Sequence, residues 1–497
     1  MGIYVLAIDL GTSSVRAMLT DERGSIACKE QSQYGVIHVG DYMQEQSAEE
    51  IFTHVVRTAR LCVERSGVNR DEIKAIAFSS QMYNIFPIDR AGTPLHNMIL
   101  WSDSRSEEQA ERLAAEWGKD YLYEATGCPL NSMYPLSKIL WLRENRKDLT
   151  ERTWKYISVK EYITAKMTGR YLADHSMASA TGMLNIHTMC WERRALDVLG
   201  ITEEALSEPV SGLRCFPFTE SGLREELGLP EGVQVVLAGG DGPMAQVGSG
   251  ASKEGSINVD LGTSGAMRAF TKRPVVDGGR RMWTYVVSED SWVYGGILSN
   301  AGNGYQWLMR NIAEFSSAGS LEEVYDLVGR KFIGLPPVRE GLLFIPYLLR
   351  CRSPYWDDKV KATIYGLTQE HTFVDIVKAY LESIGFDLYA LLGIIGEQVD
   401  VHGRIILTGG LAKSAFICQL LADILGKEIV TLRSSEGSLM GAAIFALKAV
   451  GALDQLNFGR EPDVQDAYVP RPELHGEYQK KYAKYEKLRN GLHELEA

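Results

Sequence analysis

Apolar residues in this chain arrive in short runs that break at acidic and glycine-rich turns, and one run–turn–run unit is written twice. Val5–Ile8 is an unbroken apolar run that ends on Asp9, and Ile257–Val259 is another that ends on Asp260. Runs of this length bounded by turn residues predict buried strands. A second strand follows each one, Val15–Leu19 in the first half and Ala266–Phe270 in the second. Asp21–Gly24 then reads as a turn and Ile26–Gln31 as a third strand. In the second half Trp283–Val287 and Trp292–Leu298 flank Ser288–Ser291 as a hairpin. Val233–Leu237 and Arg404–Leu407 predict two more strands, each leading through a glycine pair into a helix. A helical period places Phe373, Ile376, Val377, Tyr380, Leu381 and Ile384 on one face, and Phe416, Leu420, Leu421, Ile424 and Leu425 on another. Strands mixed with such helices predict an α/β protein.

The turn between the paired strands is itself repeated. Asp9-Leu10-Gly11-Thr12-Ser13-Ser14 returns as Asp260-Leu261-Gly262-Thr263-Ser264-Gly265, 251 positions later in a chain of 497 residues. Two near-copies at half-chain spacing, each after an apolar strand, predict two domains of one ancestral fold facing each other. The boundary is placed in the Gly/Ser/Ala-rich stretch around Ser249–Glu254, giving a first domain of 1–250, a second of 251–455 and a tail of 456–497. In that tail Tyr478, Tyr482, Tyr485 and Leu488 recur at helical spacing among charges, which predicts a surface helix docked by its apolar edge.

Composition narrows the function. A hydrophobic fraction of 45% with 23% charged residues is that of an ordinary globular protein with large cores. The net charge of −12 argues against nucleic-acid binding, which needs a basic face. It leaves phosphate ligands open, because backbone N–H groups and a metal can hold them. The seven cysteines are scattered, odd in number and without a CxxC pair, which points to reduced thiols in a cytosolic protein. The chain enters its first strand without a basic leader, and no apolar stretch reaches bilayer length, so neither a signal peptide nor a membrane partner is expected and the expected location is cytoplasmic.

Four clusters carry candidate chemistry. In Asp-Leu-Gly-Thr-Ser the glycine lets the backbone approach a ligand, and the following N–H groups and hydroxyls can donate to phosphate oxygens. The leading carboxylate would repel phosphate unless a cation bridges them, which points to Mg²⁺ at Asp9. Two such turns could grip a triphosphate, and with no GxxxxGK[ST] string the chain is not a P-loop enzyme. Second, Ala238-Gly239-Gly240-Asp241-Gly242-Pro243 puts Asp241 between a strand and a helix N-terminus, where an ionised carboxylate is stabilised and can accept a proton from a substrate hydroxyl. An ordinary capping aspartate has the same signature. Third, Thr408-Gly409-Gly410 through Ser414 is a strand–Gly–Gly–helix turn that permits close approach to a ring or phosphate. Fourth, Gln81, Asp103 and Arg105 offer hydrogen bonds to a polyol beside Trp101 as a wall, with a buried Asp–Arg pair as the plainer reading.

On these residues the chain resembles the FGGY carbohydrate kinase family from Ile8 to about Val450. Met133-Tyr134-Pro135-Leu136-Ser137-Lys138-Ile139-Leu140-Trp141-Leu142-Arg143-Glu144-Asn145 is similar to the family's first signature. Ala362–Glu382 is similar to the second, keeping Gly366-Leu367, Asp375, Ala379 and Glu382, with Tyr380 where a smaller residue is usual. The resemblance implies two actin-like, ribonuclease H-like domains around a central cleft, with sugar mostly on the first and ATP mostly on the second. It implies Asp241 as catalytic base and substrate contact, with Gln81, Met82, Trp101, Asp103 and Arg105 around the sugar. It implies Gly11, Thr12, Ser13, Arg16, Gly262, Thr263, Ser264, Gly302, Gln306, Gly409, Gly410 and Ser414 around the nucleotide, with serine standing at 414 where glycerol kinases carry asparagine. Asp9 and Asp241 would face Mg²⁺. Many relatives dimerise, so a homodimer is among the implied partners.

Within the family, LYEATGCPLNSMYPLSKILWL, YISVKEYI and DHSMASATGMLNI look most similar to FGGY-type gluconokinases. Xylulokinases are the alternative: Gln81-Met82 matches them, while Ser80 and Tyr83 replace their glycine and histidine. A gluconate reading asks for cations or donors at the carboxylate, for which Arg105, Lys138 and Lys160 are candidates. An actin-like nucleotide-dependent switch shares the paired turns and is the alternative outside enzymology. ATP consumption that depends on an added polyol separates the two.

Overall fold

A computed structural model describes residues 2–40, 42–118, 120–315, 320–332, 334–339, 341–356, 360–434 and 436–496. In chain order, the elements that position the site begin with β1 (Tyr4–Leu10), β2 (Ser14–Asp21), β3 (Ile26–Gln33), α1 (Ala48–Arg65) and β4 (Ile73–Ser80). Next come α2 (Pro135–Asn145), α3 (His175–Ser179), β5 (Cys215–Pro217), β6 (Gln234–Gly240) and α4 (Asp241–Gly248). Then follow β7 (Ile257–Leu261), β8 (Gly265–Thr271), β9 (Trp283–Ser288), β10 (Ser291–Leu298) and α5 (Gly302–Phe315). Last are α6 (Phe373–Gln398), β11 (Ile405–Thr408), α7 (Ala415–Leu425), β12 (Ile429–Leu432), α8 (Gly437–Ala449), β13 (Val464–Tyr468) and α9 (Pro472–Glu496).

The chain divides into two compact units. Met1–Ser252, Thr271–Val293 and Glu436–Glu461 form the first; Lys253–Phe270, Tyr294–Ser435 and Pro462–Ala497 form the second. Thus β9 and α8, written in the C-terminal half, fold into the first unit.

The first unit is built on a mixed sheet of order β5-β6-β4-β1-β2-β3. β1 pairs antiparallel with β2, Asp9 opposite Arg16, and parallel with β4. Period-2 alternation sends Leu6, Ile8 and Leu10 to one face, where they meet Ile51, Val55 and Ala59 of α1 in a fully buried core. Helix α8 packs on β1, β4 and β6, so the central strands are covered on both faces and read as continuous apolar runs.

The strands of the second unit run in the order β10-β8-β7-β11-β12-β13, six of the seven strands of one sheet. β7 pairs antiparallel with β8, Leu261 opposite Gly265, and parallel with β11. In each unit an antiparallel pair joined by the Asp-Leu-Gly-Thr-Ser turn is extended on one side by parallel strands, the ribonuclease H-like plan that the family resemblance implies. Helix α6 is long and apolar enough to cross a membrane, but most of that stretch is buried inside its own unit. Its N-terminus is closed by a capping box in which Thr372 N–H and Oγ1 both donate to Asp375 at 2.7 Å, so the second signature's aspartate shapes a helix start.

The tail helix α9 docks by more than an apolar edge. Tyr478 and Tyr485 are buried, but so are Lys481 and Arg489 one turn on from each. Glu382 of α6 receives Lys481 and Lys378, each at 2.5 Å. Tyr485 donates to Asp387 at 2.8 Å.

Candidate functional site

In the first unit the site begins at the turn between β1 and β2. Gly11 N–H donates to Ser14 O at 3.0 Å and the Tyr34 hydroxyl donates to Gly11 O, which closes the turn from inside. Thr12 is fixed three ways: Gln46 donates to its carbonyl at 2.6 Å, Trp101 Nε1 to its hydroxyl at 3.1 Å, and that hydroxyl donates to Gln81 Oε1 at 3.2 Å. Gln81 in turn donates to Gln46 at 3.1 Å. The turn and two predicted sugar contacts, Gln81 and Trp101, are therefore one bonded assembly, and the indole N–H of Trp101 is spent on it.

Asp9 is the last residue but one of β1 and is 1% exposed. One oxygen, Oδ2, accepts from Arg16 Nε at 3.1 Å and from a second guanidinium nitrogen at 2.5 Å. The other, Oδ1, is buried without a hydrogen-bond partner. A buried carboxylate oxygen left unpaired is costly, and a bound cation would satisfy it. Arg16 reaches on to Glu436 at 3.3 Å and to Ser438 Oγ at 3.3 Å at the start of α8. Lys29 meets Glu436 at 2.6 Å, and Gly11, Ser13, Ser14, Arg16, Lys29 and Glu436 line an open pocket of about 380 Å³.

Asp241 is the first residue of α4, and Gly240 takes the cap position with extended backbone. Its Oδ1 accepts from Gly242 N–H at 2.8 Å. Its charge reaches Arg16, whose guanidinium is held above its ordinary range by Asp9, Glu436 and Asp241 against the opposing effect of burial. Asp9, Arg16 and Asp241 thus form one electrostatic group. Gly240 packs against Met82, since a Cβ there would lie 2.7 Å from Met82 Sδ. That contact places Met82 beside Asp241.

The candidate cations for a substrate carboxylate are all committed inside the unit. Lys160 Nζ is 2.6 Å from Asp174 and donates to Leu237 O and Gly239 O, propping the strand end that delivers Asp241. Burial lowers its pKa against the pull of Asp174. Lys138 donates to Tyr83 O at 2.8 Å and Leu100 O at 2.7 Å. Arg105 binds Asp103 through Nε and a terminal nitrogen at 2.7–3.0 Å, binds Glu45 at 2.8 Å, and lies over the Trp141 ring at 5.0 Å. Asp103 also accepts from Gln44 N–H at 2.7 Å. Both side chains are almost wholly buried.

In the second unit the predicted nucleotide residues gather at the ends of β7 and β11. Gly302 and Asn303, starting α5, donate their N–H groups to Gly262 O and Thr263 O at 3.0 Å each. A Cβ on Gly302 would overlap that Gly262 carbonyl. Gln306 lies exposed one turn along α5, and Ser264 completes the turn before β8. Gly409 has φ +93°, and a Cβ there would meet the Leu261 backbone and Asp260 Oδ1. Only glycine suits both that conformation and that space. Gly410 opens a short 3₁₀ turn, and Ser414 caps α7 by accepting from Ile417 N–H at 3.4 Å. The large Tyr380 of the second signature fits because Gly304 opposite it has no side chain, and the Tyr380 hydroxyl donates to Ala301 O at 2.8 Å.

Sequence reading missed Tyr34, Gln46, Lys29, Glu436 and Ser438. The first three carry no motif. Glu436 and Ser438 stand more than 400 positions from Arg16. The available signal was the Gly437/Gly441 pair, small residues four apart on one helix face, which marks a close helix crossing.

The model of the FGGY family of carbohydrate kinases, N-terminal domain, matches residues 4–248, and that of its C-terminal domain matches 257–450. A gluconokinase of Bacillus subtilis is 35% identical over 92% of this chain and 90% of its own. A xylulose kinase of the same organism is 26% identical over 93% and 92%. The crystal structure of a gluconate kinase from Lactobacillus acidophilus superposes with a TM-score of 0.92 at 27% identity, covering 99% of this chain and 98% of that one. A ligand-bound xylulose kinase from that organism gives 0.92 and 27% over 98% of each.

Proposed function

The chain belongs to the FGGY family of carbohydrate kinases, which implies ATP as co-substrate, and on that premise we propose that its acceptor is the sugar acid gluconate and its product 6-phosphogluconate. One observation carries the choice of acceptor: 35% identity to a gluconokinase against 26% to a xylulose kinase, over nearly equal shares of the chain. The two superpositions, equal in TM-score, do not discriminate. Tyr83, in place of the histidine of xylulokinases, favours the same side.

In this reading the acceptor hydroxyl attacks the γ-phosphorus, the bond to the bridging oxygen of ADP breaks, and the hydroxyl proton passes to Asp241. Phosphoryl transfer has a loose transition state, so orientation and charge neutralisation matter more than base strength. Asp241 is suited to that role by its place at a helix start beside Met82, with Lys160 bracing the strand before it. Arg16 faces both Asp9 and Asp241 and would neutralise charge on the transferred group. Gln81, Met82 and Trp101 would line the acceptor, and Asp103 and Arg105 would hold the loop that carries Trp101. The residues around Gly262, Gly302 and Gly409 would receive the nucleotide.

Mg²⁺ fits the residues present. Among the described residues no group of three or more metal-ligating side chains is assembled. Mg²⁺ bound to a nucleotide, however, needs only one or two carboxylates, with phosphates and water completing its shell. The unpartnered Oδ1 of Asp9 and the carboxylate of Asp241 would supply them. The ion would neutralise phosphate charge.

The test is an ADP-release assay over gluconate, xylulose, ribulose and glycerol. Turnover on gluconate with kcat/KM at least tenfold above the other three is expected. Turnover on xylulose with none on gluconate overturns the acceptor assignment, and ATP hydrolysis indifferent to every acceptor overturns the chemistry.

A further inference from the structure

Next to Met82 the chain enters a conformation that its residue type resists. Tyr83 has φ +64°, in the left-handed region that a side chain with a Cβ seldom occupies. Such backbone is found where surrounding structure enforces it, often at binding sites. Here the enforcement is visible. Lys138 takes the Tyr83 carbonyl at 2.8 Å, and Asn84 donates to Gln81 O at 2.7 Å while accepting from Val159 N–H at 2.9 Å.

The turn aims Tyr83 into a line of phenols. Its hydroxyl donates to Tyr285 at 3.1 Å, and Tyr285 shares a hydrogen bond with Tyr134 at 2.9 Å. The Tyr83 ring meets those of Tyr134 and Tyr285 edge-on at 5.7 Å and 6.0 Å. Trp283 stacks on Tyr285 at 4.3 Å, and its buried Nε1 has no hydrogen-bond partner. Tyr285 and Trp283 lie on β9, which packs against α3 and against α4, the helix that starts at Asp241. Tyr83 follows Met82, whose side chain lies against Gly240 beside Asp241, so the line of phenols begins next to the position proposed for the acceptor.

We propose that Tyr83, backed by Tyr285 and Tyr134, determines acceptor specificity by donating a hydrogen bond to the carboxylate of a sugar acid. The inference rests on the gluconate reading and names the part of the protein that would distinguish this acceptor from a neutral polyol. Arg105, Lys138 and Lys160 are spent on internal partners, so neutral donors remain for the task. Phenol protons rotate to suit their partners. With no acid bound the line runs outward from Tyr83 to Tyr285. Reversed, it runs from Tyr134 through Tyr285 to Tyr83 and presents the Tyr83 proton to a carboxylate oxygen. Tyr285 is a positioning residue in this scheme, since it supplies the proton that replaces the one Tyr83 gives. Burial pushes the pKa of Tyr134 and of Tyr285 well above the ordinary phenol range, so both keep their protons at any assay pH.

The experiment compares Tyr83→Phe and Tyr285→Phe with wild type, using gluconate as substrate and glucitol as competitive inhibitor. Glucitol carries CH₂OH where gluconate carries the carboxylate and is otherwise the same chain. In Tyr83→Phe the KM for gluconate is expected to rise about tenfold or more, the size of a lost hydrogen bond to a charged group. The kcat, the KM for ATP and the inhibition constant of glucitol should stay within about threefold. Tyr285→Phe should shift the gluconate KM in the same direction by less. A gluconate KM within twofold of wild type in Tyr83→Phe overturns the proposal. So does an equal rise in the gluconate KM and the glucitol constant, which marks loosened packing. Wild-type protein that fails to turn over gluconate overturns the sugar-acid reading itself and takes this assignment with it, an outcome distinct from the other two.

Discussion

Asp9 and Asp241 show what a residue type discloses by itself and what it does not. Both were picked out as candidates because a glycine turn stands beside an acid at a strand end, a signature that an ordinary capping aspartate shares. Asp103 and Arg105 were legible as polar groups near an aromatic, but a sequence cannot say whether a guanidinium turns to a ligand or to a neighbour. Here it turns to Asp103, Glu45 and Trp141. Two predictions belong at this scale. Asp241→Asn keeps the size and the helix-start geometry but cannot take a proton, so kcat should fall about 10²- to 10⁴-fold, the usual worth of a positioned acid or base. The KM for gluconate should stay within about threefold, measured by steady-state ADP release; a variant with near-normal kcat removes Asp241 from the role. Arg105→Gln leaves Asp103 and Glu45 buried without their cation, so stability should fall by about 3 kcal/mol, read from denaturant unfolding. An unchanged midpoint would show that the knot is not what holds the Trp101 loop.

Among whole elements, the strands named from the sequence were read nearly to their ends, because apolar runs bounded by turn residues mark them, while β4, β5, β12 and β13 were not named at all. The tail helix was read by its tyrosines, while its buried Lys481 and Arg489 were invisible, since charged residues at helical spacing look like a solvated face. Arg489 lies over the ring of Tyr355, and Lys481 meets Glu382 of α6, 99 positions earlier. The contact has a pH signature. Asp387, enclosed between α6 and α9, has its pKa pushed up to about 6 by burial, with the Tyr485 hydrogen bond and nearby Arg489 opposing the shift. A carboxyl that holds its proton more tightly folded than unfolded costs stability once it ionises. That cost grows as pH rises from about 4 to about 6 and is fully present above. Asp387→Asn cannot ionise. Its melting temperature relative to wild type should therefore climb across that interval and level off beyond it, as seen by calorimetry at a series of pH values. A constant difference from pH 4 to pH 8 would mean that Asp387 does not titrate in this window.

For the molecule as a whole, the duplicated Asp-Leu-Gly-Thr-Ser turn disclosed two related folds. It could not disclose that the first borrows elements from the far end of the chain, since nothing local to α8 says which sheet it covers. That helix lies against α4 with no room for side chains between them. A Cβ on Gly441 would overlap the Met244 carbonyl, and one on Gly248 would overlap the Gly437 carbonyl. The backbone that carries Asp241 is thus seated directly on a helix written two hundred residues later. Gly441→Val should push the two helices apart, costing about 1–3 kcal/mol or more as overpacking against backbone. It should also displace the start of α4, so kcat should drop well beyond what the stability loss explains at a temperature where the variant remains folded. Gly393→Ala supplies the contrast. Gly393 lies on the exposed side of α6 with open space around it, so alanine there should gain about 0.5–1 kcal/mol and leave kcat unchanged. If Gly441→Val unfolds at the wild-type midpoint with wild-type kcat, the crossing of α4 and α8 does not set the position of Asp241, and the borrowed helix does no more than cover the sheet.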